Sequence, residues 1–331
     1  MGLLSTGVGL DVSDHHIRIA WVNHQGVPKG VYELVLPKGY VVDDKVEKPD
    51  AVRKQVMQLI AESSLASVNA KAVLLIPESR VFSTSFELKG KLAPDVLKAQ
   101  AIRMGQSELP IPFRDAFTFI REGVHNKKSP VIRVGVLAVE KETAQVYQKA
   151  FTMPELPFAA IESGGKGIFR LFERFGIEKV QLKSEKDLVM VVDVGHRWTN
   201  ITVYDKIGAE IFSRSFTLGK HSEEKGDKAH QLHSEDVQRI CTNLNGALTF
   251  FKESGFRIPV VLLAGAEGGQ ADLQKQCKIA VKKQVILRLG EVVAVPDVSP
   301  EDVHEYGPAI GAAIRAARPG HYKKDHNFLS L

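Results

Sequence analysis

Leu188-Val189-Met190-Val191-Val192-Asp193-Val194-Gly195 is an apolar run that ends in an acid and a glycine, and Ile201-Thr202-Val203-Tyr204 resumes after a polar bend. An apolar run of this length bounded by turn residues reads as a buried strand, and the alternating segment behind it as its hairpin partner. The beginning of the chain repeats the design. Val8-Gly9-Leu10-Asp11-Val12 runs into a bend, and Ile17-Arg18-Ile19-Ala20-Trp21-Val22 resumes. Two strand–Asp–turn–strand units half a chain apart predict a duplicated α/β core. The length of 331 residues exceeds one ordinary compact core, which agrees with two lobes.

Helical patterns fill the plan. Asp50 is read as the N-cap of a helix to Ser64, with Val52, Val56, Leu59 and Ile60 on one face. Ser234 is read as another N-cap, opening a helix with Val237, Ile240, Leu244, Leu248 and Phe251 at helical spacing. Val260–Leu263 is a buried strand that ends at Ala264-Gly265, and Tyr306–Arg318 is a Gly/Ala-rich helix suited to close packing. A different unit interrupts the two lobes. Val73–Ile76 and Val81–Phe86 read as strands, Pro94–Ser107 as a helix stopped by Pro110-Ile111-Pro112, Phe117–Arg121 and Val131–Val139 as strands, and Glu140–Ala150 as a helix.

Composition sets limits on function. Hydrophobic residues are 44% and charged residues 25%, with a mean hydropathy of −0.08, as in a soluble globular protein. Lys+Arg 44 against Asp+Glu 39 gives only +5, with no basic stripe interleaved with aromatics, so no nucleic-acid partner is expected. Cys241 and Cys277 show neither metal-site nor disulfide-framework spacing, which points to a reducing compartment. Met1–Leu10 lacks the basic n-region of a signal peptide, and the apolar run Leu188–Val192 is far too short to span a bilayer. His221, His230 and His233 sit among acids in a polar segment that reads as a solvated loop rather than a metal site. Ser163-Gly164-Gly165-Lys166-Gly167 lacks P-loop spacing and reads as a linker and helix start.

With these segments in order, the sequence resembles the PilM family of type IV pilus assembly proteins, which are actin-like and related to the cell-division protein FtsA. Tandem Asp-ended hairpins are the mark of the actin-like (ribonuclease H-like) two-lobed fold. Glu108-Leu109-Pro110-Ile111-Pro112-Phe113 resembles the family's segment after the inserted helix, and Val136–Glu142 the strand-to-helix step that follows. Phe212–Gly219 resembles the strand and glycine turn behind the second hairpin, and Pro308–Ala313 the closing helix. The similarity covers most of residues 7 to 318. It implies residues 1–78 as part of the first lobe, 79–155 as an FtsA/PilM-type inserted subdomain, 156–318 as the rest of the first lobe and the second lobe, and 319–331 as a C-terminal tail.

The resemblance also implies a cytoplasmic scaffold held peripherally at the inner membrane by a partner. That partner is a bitopic, PilN-like protein whose N-terminal cytoplasmic peptide would bind a groove between the first lobe and the inserted subdomain, shaped in part by Phe82–Leu88 and Ile102–Phe113. Alternatives are an FtsA-like, filament-forming and so homo-oligomeric ATPase, a cytoplasmic component of a type II secretion-like system, or a small-molecule kinase of the same superfamily. The nucleotide loops of such a fold would hold ATP, with Asp11 and Asp193 binding Mg²⁺ through water. The remaining loop residues would be Ser13, Thr199 and Asn200, with Gly195, Gly265, Gly268 and Gly269. The second loop keeps Asp193, Gly195 and Thr199, but the first and third depart from the pattern. Ser13 stands for the first loop's glycine and Asp14 for its hydroxyl residue, and a carboxylate facing phosphate is repulsive by about 1 kcal/mol at ~4 Å even in water. Ala266 and Glu267 add side chains to the third loop. The expectation is a degenerate nucleotide site with weak or absent ATPase activity. At the end of the chain, Asn327–Leu331 resembles the docking peptide of a PilN-like partner, with His326 and Ser330 departing from it. Such a tail would enter the peptide groove of its own or a neighbouring chain, whereas a free tail is the plainer reading of a terminus.

Overall fold

The computed structural model describes residues 6–13, 15–63, 65, 69–90, 92–122, 131–154, 156–219, 232–282, 284–322 and 325–328. Asp14, His221, His230, Ser330 and Leu331 therefore lie outside the described residues.

The two Asp-ended runs become two sheets of the same design. In the first, β1 (Thr6–Val12), β2 (His16–Val22) and β3 (Pro28–Val35) form an antiparallel meander, and β6 (Ala70–Ile76) and β10 (Phe158–Ser163) add in parallel on the other side of β1. In the second, β11 (Asp187–Val194), β12 (Trp198–Asp205) and β13 (Glu210–Thr217) repeat the meander, and β14 (Arg257–Ala264) and β15 (Ile286–Arg288) add in parallel. Between β3 and β6 lie a short hairpin, β4 (Val41–Val42) and β5 (Lys45–Val46), and helix α1 (Pro49–Glu62).

Strand alternation sorts each face into a layer. Val189 and Val191 of β11 pack with Ala20, Val22, α4 (Gly164–Phe175) and the last helix, while Leu188, Met190, Val192 and Val194 pack on the opposite side. Among the remaining helices are α5 (Ser234–Glu253), α6 (Ala271–Ala280), the single turn α7 (Leu289–Val292) and α8 (Pro300–Ala317). Helices α4 and α8 form the middle layer between the sheets, α5 and α6 cover the second sheet, and α1 with α3 (Lys141–Phe151) covers the first. Between β6 and β10 the chain builds a separate three-stranded sheet, β7 (Val81–Lys89), β9 (Val131–Glu140) and β8 (Ala116–Glu122) in that order, with helix α2 (Pro94–Glu108) on it. This unit has a core of its own, in which Leu88 packs with Leu97, Ala101 and Val136.

Several expectations shift in detail. Val73–Ile76 belongs to the first lobe's sheet through β1 and β10, not to the inserted one. Lys48 and His233 occupy the N-cap positions expected for Asp50 and Ser234, and neither makes a side-chain cap. Pro49 at the first helical position explains the first shift, because its fixed φ and missing N–H suit that place. The last helix begins at Pro300 rather than Tyr306, since Ser299 accepts from the Asp302 N–H at 3.0 Å, and Pro308 is carried inside it. Within the expected tail, residues 325–328 are not free: Asp325, His326 and Phe328 are buried, and 329–331 lie outside the described residues.

The middle layer is close-packed to the backbone. A Cβ on Gly311 of α8 would lie 1.9 Å from the Gly167 carbonyl oxygen of α4, and one on Gly9 of β1 would lie 1.9 Å from that of Ala309. No side chain can move to relieve either clash. We therefore expect Gly311→Ala to destabilise the fold by about 3 kcal/mol, as overpacking against fixed backbone does. Gly246→Ala on α5, with nothing near the new methyl, should instead be neutral or stabilising by ~0.5–1 kcal/mol. Urea denaturation of the two variants reads both values.

Candidate functional site, the cleft between the two hairpins

The hairpin turns are built alike and face one another. Asp11 lies opposite Arg18 across the first hairpin, and Asp193 opposite Asn200 across the second. In the first turn the Ser13 N–H donates to the His16 carbonyl at 2.9 Å, and in the second the Gly195 N–H donates to that of Trp198 at 2.9 Å. Gly265, at φ +86, comes so close that a Cβ there would lie 2.3 Å from Asp193 Oδ1. Only glycine fits this position.

Of the nine residues expected at a nucleotide, Asp11, Ser13, Asp193, Gly195, Asn200 and Gly265 line the cleft. Three do not. Thr199 is fully buried with its hydroxyl unpaired, a Cβ on Gly268 would meet the Ala264 carbonyl, and Gly269 packs on the His304 ring. Ser13 lines the cleft but turns its hydroxyl to the His16 carbonyl at 3.2 Å, closing its own turn. Sequence reasoning missed Glu78, Asp44 and Glu305, which also line it. Glu78 accepts from the Gly165 N–H at 3.0 Å and the Ser213 hydroxyl at 3.2 Å, so one buried carboxylate touches α4 and the second sheet together. Its only mark in the sequence is an acid directly behind the apolar strand Ala70–Ile76 and Pro77.

Ion pairs line the cleft, and the first of them crosses it. Arg197 of the second turn pairs with Asp43 of the β4–β5 turn, and His196 Nδ1 lies 2.8 Å from Glu267 Oε1 of the third loop. The His16 and His196 rings meet at 5.5 Å, and Arg18 holds Glu305 at 2.9 Å. The space left is about 90 Å³, against roughly 300–1,000 Å³ for pockets that enclose a ligand. To admit a nucleoside triphosphate the cleft would have to open and break the Arg197–Asp43 pair that joins its two walls. Among the described residues no group of three or more His, Cys, Asp or Glu is placed to hold a metal ion.

A second space of about 510 Å³ lies between the inserted sheet and the second lobe, lined by Ser83–Glu87, Arg133 and an aromatic group that includes Phe212, Phe250 and Phe256.

Solved structures share this architecture. A chain of a PilM–PilN type IV pilus biogenesis complex matches with a TM-score of 0.74 at 15% identity, covering 96% of this chain and 99% of that one. The chain is PilM-like in fold. The cytoplasmic domain of EpsL, an inner-membrane component of the type II secretion system of Vibrio cholerae, matches with a TM-score of 0.50 at 10% identity and 99% coverage of both chains. A Bacteroides thetaiotaomicron protein of actin-like ATPase fold and unknown function gives 0.49 at 14% identity, covering 88% of this chain and 93% of that one. No family model and no curated protein sequence matches the chain. In this PilM-like architecture both hairpins, with Asp11 and Asp193, meet at the cleft.

The acids of the cleft are short of positive charge. Burial and the neighbouring Asp11 and Glu78 carboxylates push Asp193 up to about 7, against a hydrogen bond from Asn200 that pulls it down. Burial also raises Asp11 and Glu78. His16 is pushed down to about 4 by burial and by the adjacent Arg18 and His196 charges. For Asp193 the folded chain holds the proton more tightly than the unfolded one. Ionisation therefore opposes folding in full above pH 7, and the penalty shrinks steadily as pH falls from 7 toward 4. In metal-free buffer Asp193→Asn should stabilise the fold at pH 8, by on the order of 2–4 kcal/mol. At pH 4, close to the value of the carboxyl in the unfolded chain, the variant should match wild type within about 0.5 kcal/mol. Chemical denaturation at the two pH values measures the difference.

Proposed function

We propose that this chain is a scaffold of an inner-membrane type IV pilus assembly complex that binds the N-terminal cytoplasmic peptide of a PilN-like partner, and that its nucleotide site is degenerate. The observation that carries the reading is the match over nearly the whole length of both chains to a structure of a PilM–PilN complex. The peptide's place is the junction between the first lobe and the inserted sheet, where Phe119 and Arg121 of β8 lie beside the end of the chain that covers β10. No helix among the described residues is long and apolar enough to cross a membrane, and in this reading a membrane-anchored partner supplies the attachment. A groove of this kind recognises an extended peptide through its backbone and a few side-chain pockets.

Degeneracy of the cleft agrees with the small space, the Arg197–Asp43 pair across it and the Ser13 hydroxyl taken up by its own turn. A second reading, a cytoplasmic component of a type II secretion-like system, draws on the likeness to the EpsL domain. The two share a scaffold role and differ in the partner. Immobilised N-terminal peptides of a PilN-like and of a secretion-type partner, presented to the purified chain, separate them: retention on the first alone is expected, and retention on neither would remove the scaffold reading. With Mg·ATP we expect a melting temperature within ~1 °C of the unliganded chain, since binding raises stability only in proportion to RT ln(1 + [L]/Kd). Micromolar binding by calorimetry, with turnover that is lost in Asp11→Ala, would show an ATPase instead.

A further inference from the structure

Strand β10 is the outermost strand of the first sheet and, among the described residues, pairs only with β6. Its other edge is covered by the end of the chain. The Ile161 N–H donates to Asn327 Oδ1 at 3.0 Å, the Phe328 N–H donates to the Ile161 carbonyl at 2.8 Å, and the Ser163 N–H donates to His326 Nε2 at 2.9 Å. Backbone groups of residues two apart point to the same edge of a strand, and an open edge is a template for an extended peptide. Asn327 and Phe328 thus clamp Ile161 on its N–H and its carbonyl together. Phe328, 2% exposed, joins the core of the first lobe.

Asp325 anchors the same segment by charge. Its carboxylate meets Arg170 Nη2 of α4 at 2.8 Å, Arg121 Nη1 of β8 at 3.1 Å and Lys166 Nζ of α4 at 3.3 Å. Arg121 also donates to the Ile207 and Gly208 carbonyls in the turn between β12 and β13. One acid near the chain's end therefore joins the middle layer, the inserted sheet and the second lobe. Without it, three cations, an unpaired strand edge and an apolar hole would stand together at one place.

We infer that residues 325–328 are an exchangeable strap over the β10 edge, and that the ligand able to displace it is an extended peptide. The peptide carries a carboxylate, a carboxamide two residues later and a large apolar residue immediately after that. The carboxylate takes the Arg121, Lys166 and Arg170 cations, the carboxamide takes the Ile161 N–H, and the apolar side chain fills the place of Phe328. Because Arg121 serves both Asp325 and the second lobe, exchange of the strap is coupled to how the inserted sheet is held. The inference rests on the scaffold reading only for the identity of the natural competitor.

The test uses the chain's own segment as the probe. A labelled peptide of residues 323–331 is titrated against the full-length chain and against a chain ending at residue 324. The truncated chain should bind it, and the full-length chain at least ~10-fold more weakly, because the tethered strap competes at high effective concentration. The same peptide carrying Asn327→Ala should lose binding. Equal binding to both chains, or to neither while the truncated chain is folded, overturns the inference. Hydrogen exchange on the full-length chain covers the case in which truncation unfolds it. The Ile161 and Ser163 amides should exchange faster than the buried amides of β1, through opening of the strap alone. Exchange at the rate of the β1 amides would make the segment a permanent part of the fold and overturn the inference. A truncated chain that binds its own segment but no partner peptide leaves the strap standing and removes the scaffold reading. Partner binding that is unaffected by truncation, with no binding of the chain's own segment, does the reverse.

Discussion

Arg170 is fully buried in the middle layer, where it binds both oxygens of Glu162 at 2.5 and 2.8 Å, the Gly311 carbonyl at 3.0 Å and Asp325 at 2.8 Å. Taking such a charge out of water without partners costs several kcal/mol. The elements that supply the partners are β10, α8 and the chain's end, so all three are fixed relative to α4. Glu162 also accepts from Arg315 of α8, and Arg315 donates on to the His326 carbonyl at 2.7 Å. The opposing charges hold Glu162 and Asp325 below the usual carboxylate range despite burial. His326, buried beside Arg315 and Lys166, is pushed down to about 3 and stays a neutral acceptor for the Ser163 N–H.

Close packing of α4 and α8 gives this network its place. Glycines let the helix backbones touch, and the same approach lets α8 lie on β1 through Gly7 and Gly9. Two sheets of like strand order then meet the middle layer from opposite sides, which aims both Asp-ended turns into one cleft. In that cleft Arg197 and Asp43 bridge the walls, while His196 and Glu267 tie together two loops of the second lobe. Charge balance thus differs between the two interior polar regions. The middle layer pairs its acids with arginines, while the cleft gathers Asp11, Asp193 and the buried Glu78 around Arg18, its other arginine, Arg197, being paired with Asp43.

Much of this was legible in the residues, and the failures have physical causes. Asp11 and Asp193 stood out because each ends an apolar run, and both line the cleft. Glu78, Asp44 and Glu305 carried no comparable signal, since each is brought in from a segment remote in sequence. Gly268 and Gly269 looked like a phosphate loop but serve packing against Ala264 and His304. Glycine permits close backbone approach without saying what approaches. Helix starts moved by a few residues where Pro49 and Ser299 outweigh the residues chosen by pattern. Cys241 and Cys277, unremarkable by spacing, lie 3.5 Å apart as free thiols between α5 and α6.

The order of residues was enough to specify the two Asp-ended hairpins and most of the strands and helices that follow them. These follow from local periodicity, in which a residue's neighbours in the chain set its face. What the polar interior does emerged only from packing. An acid such as Glu162, Asp325 or Glu78 takes its meaning from the cations and N–H groups brought to it from distant parts of the chain. Residues 325–328 show this most plainly: a segment that reads as part of a tail comes to lie, beside Arg170, over the outer edge of β10.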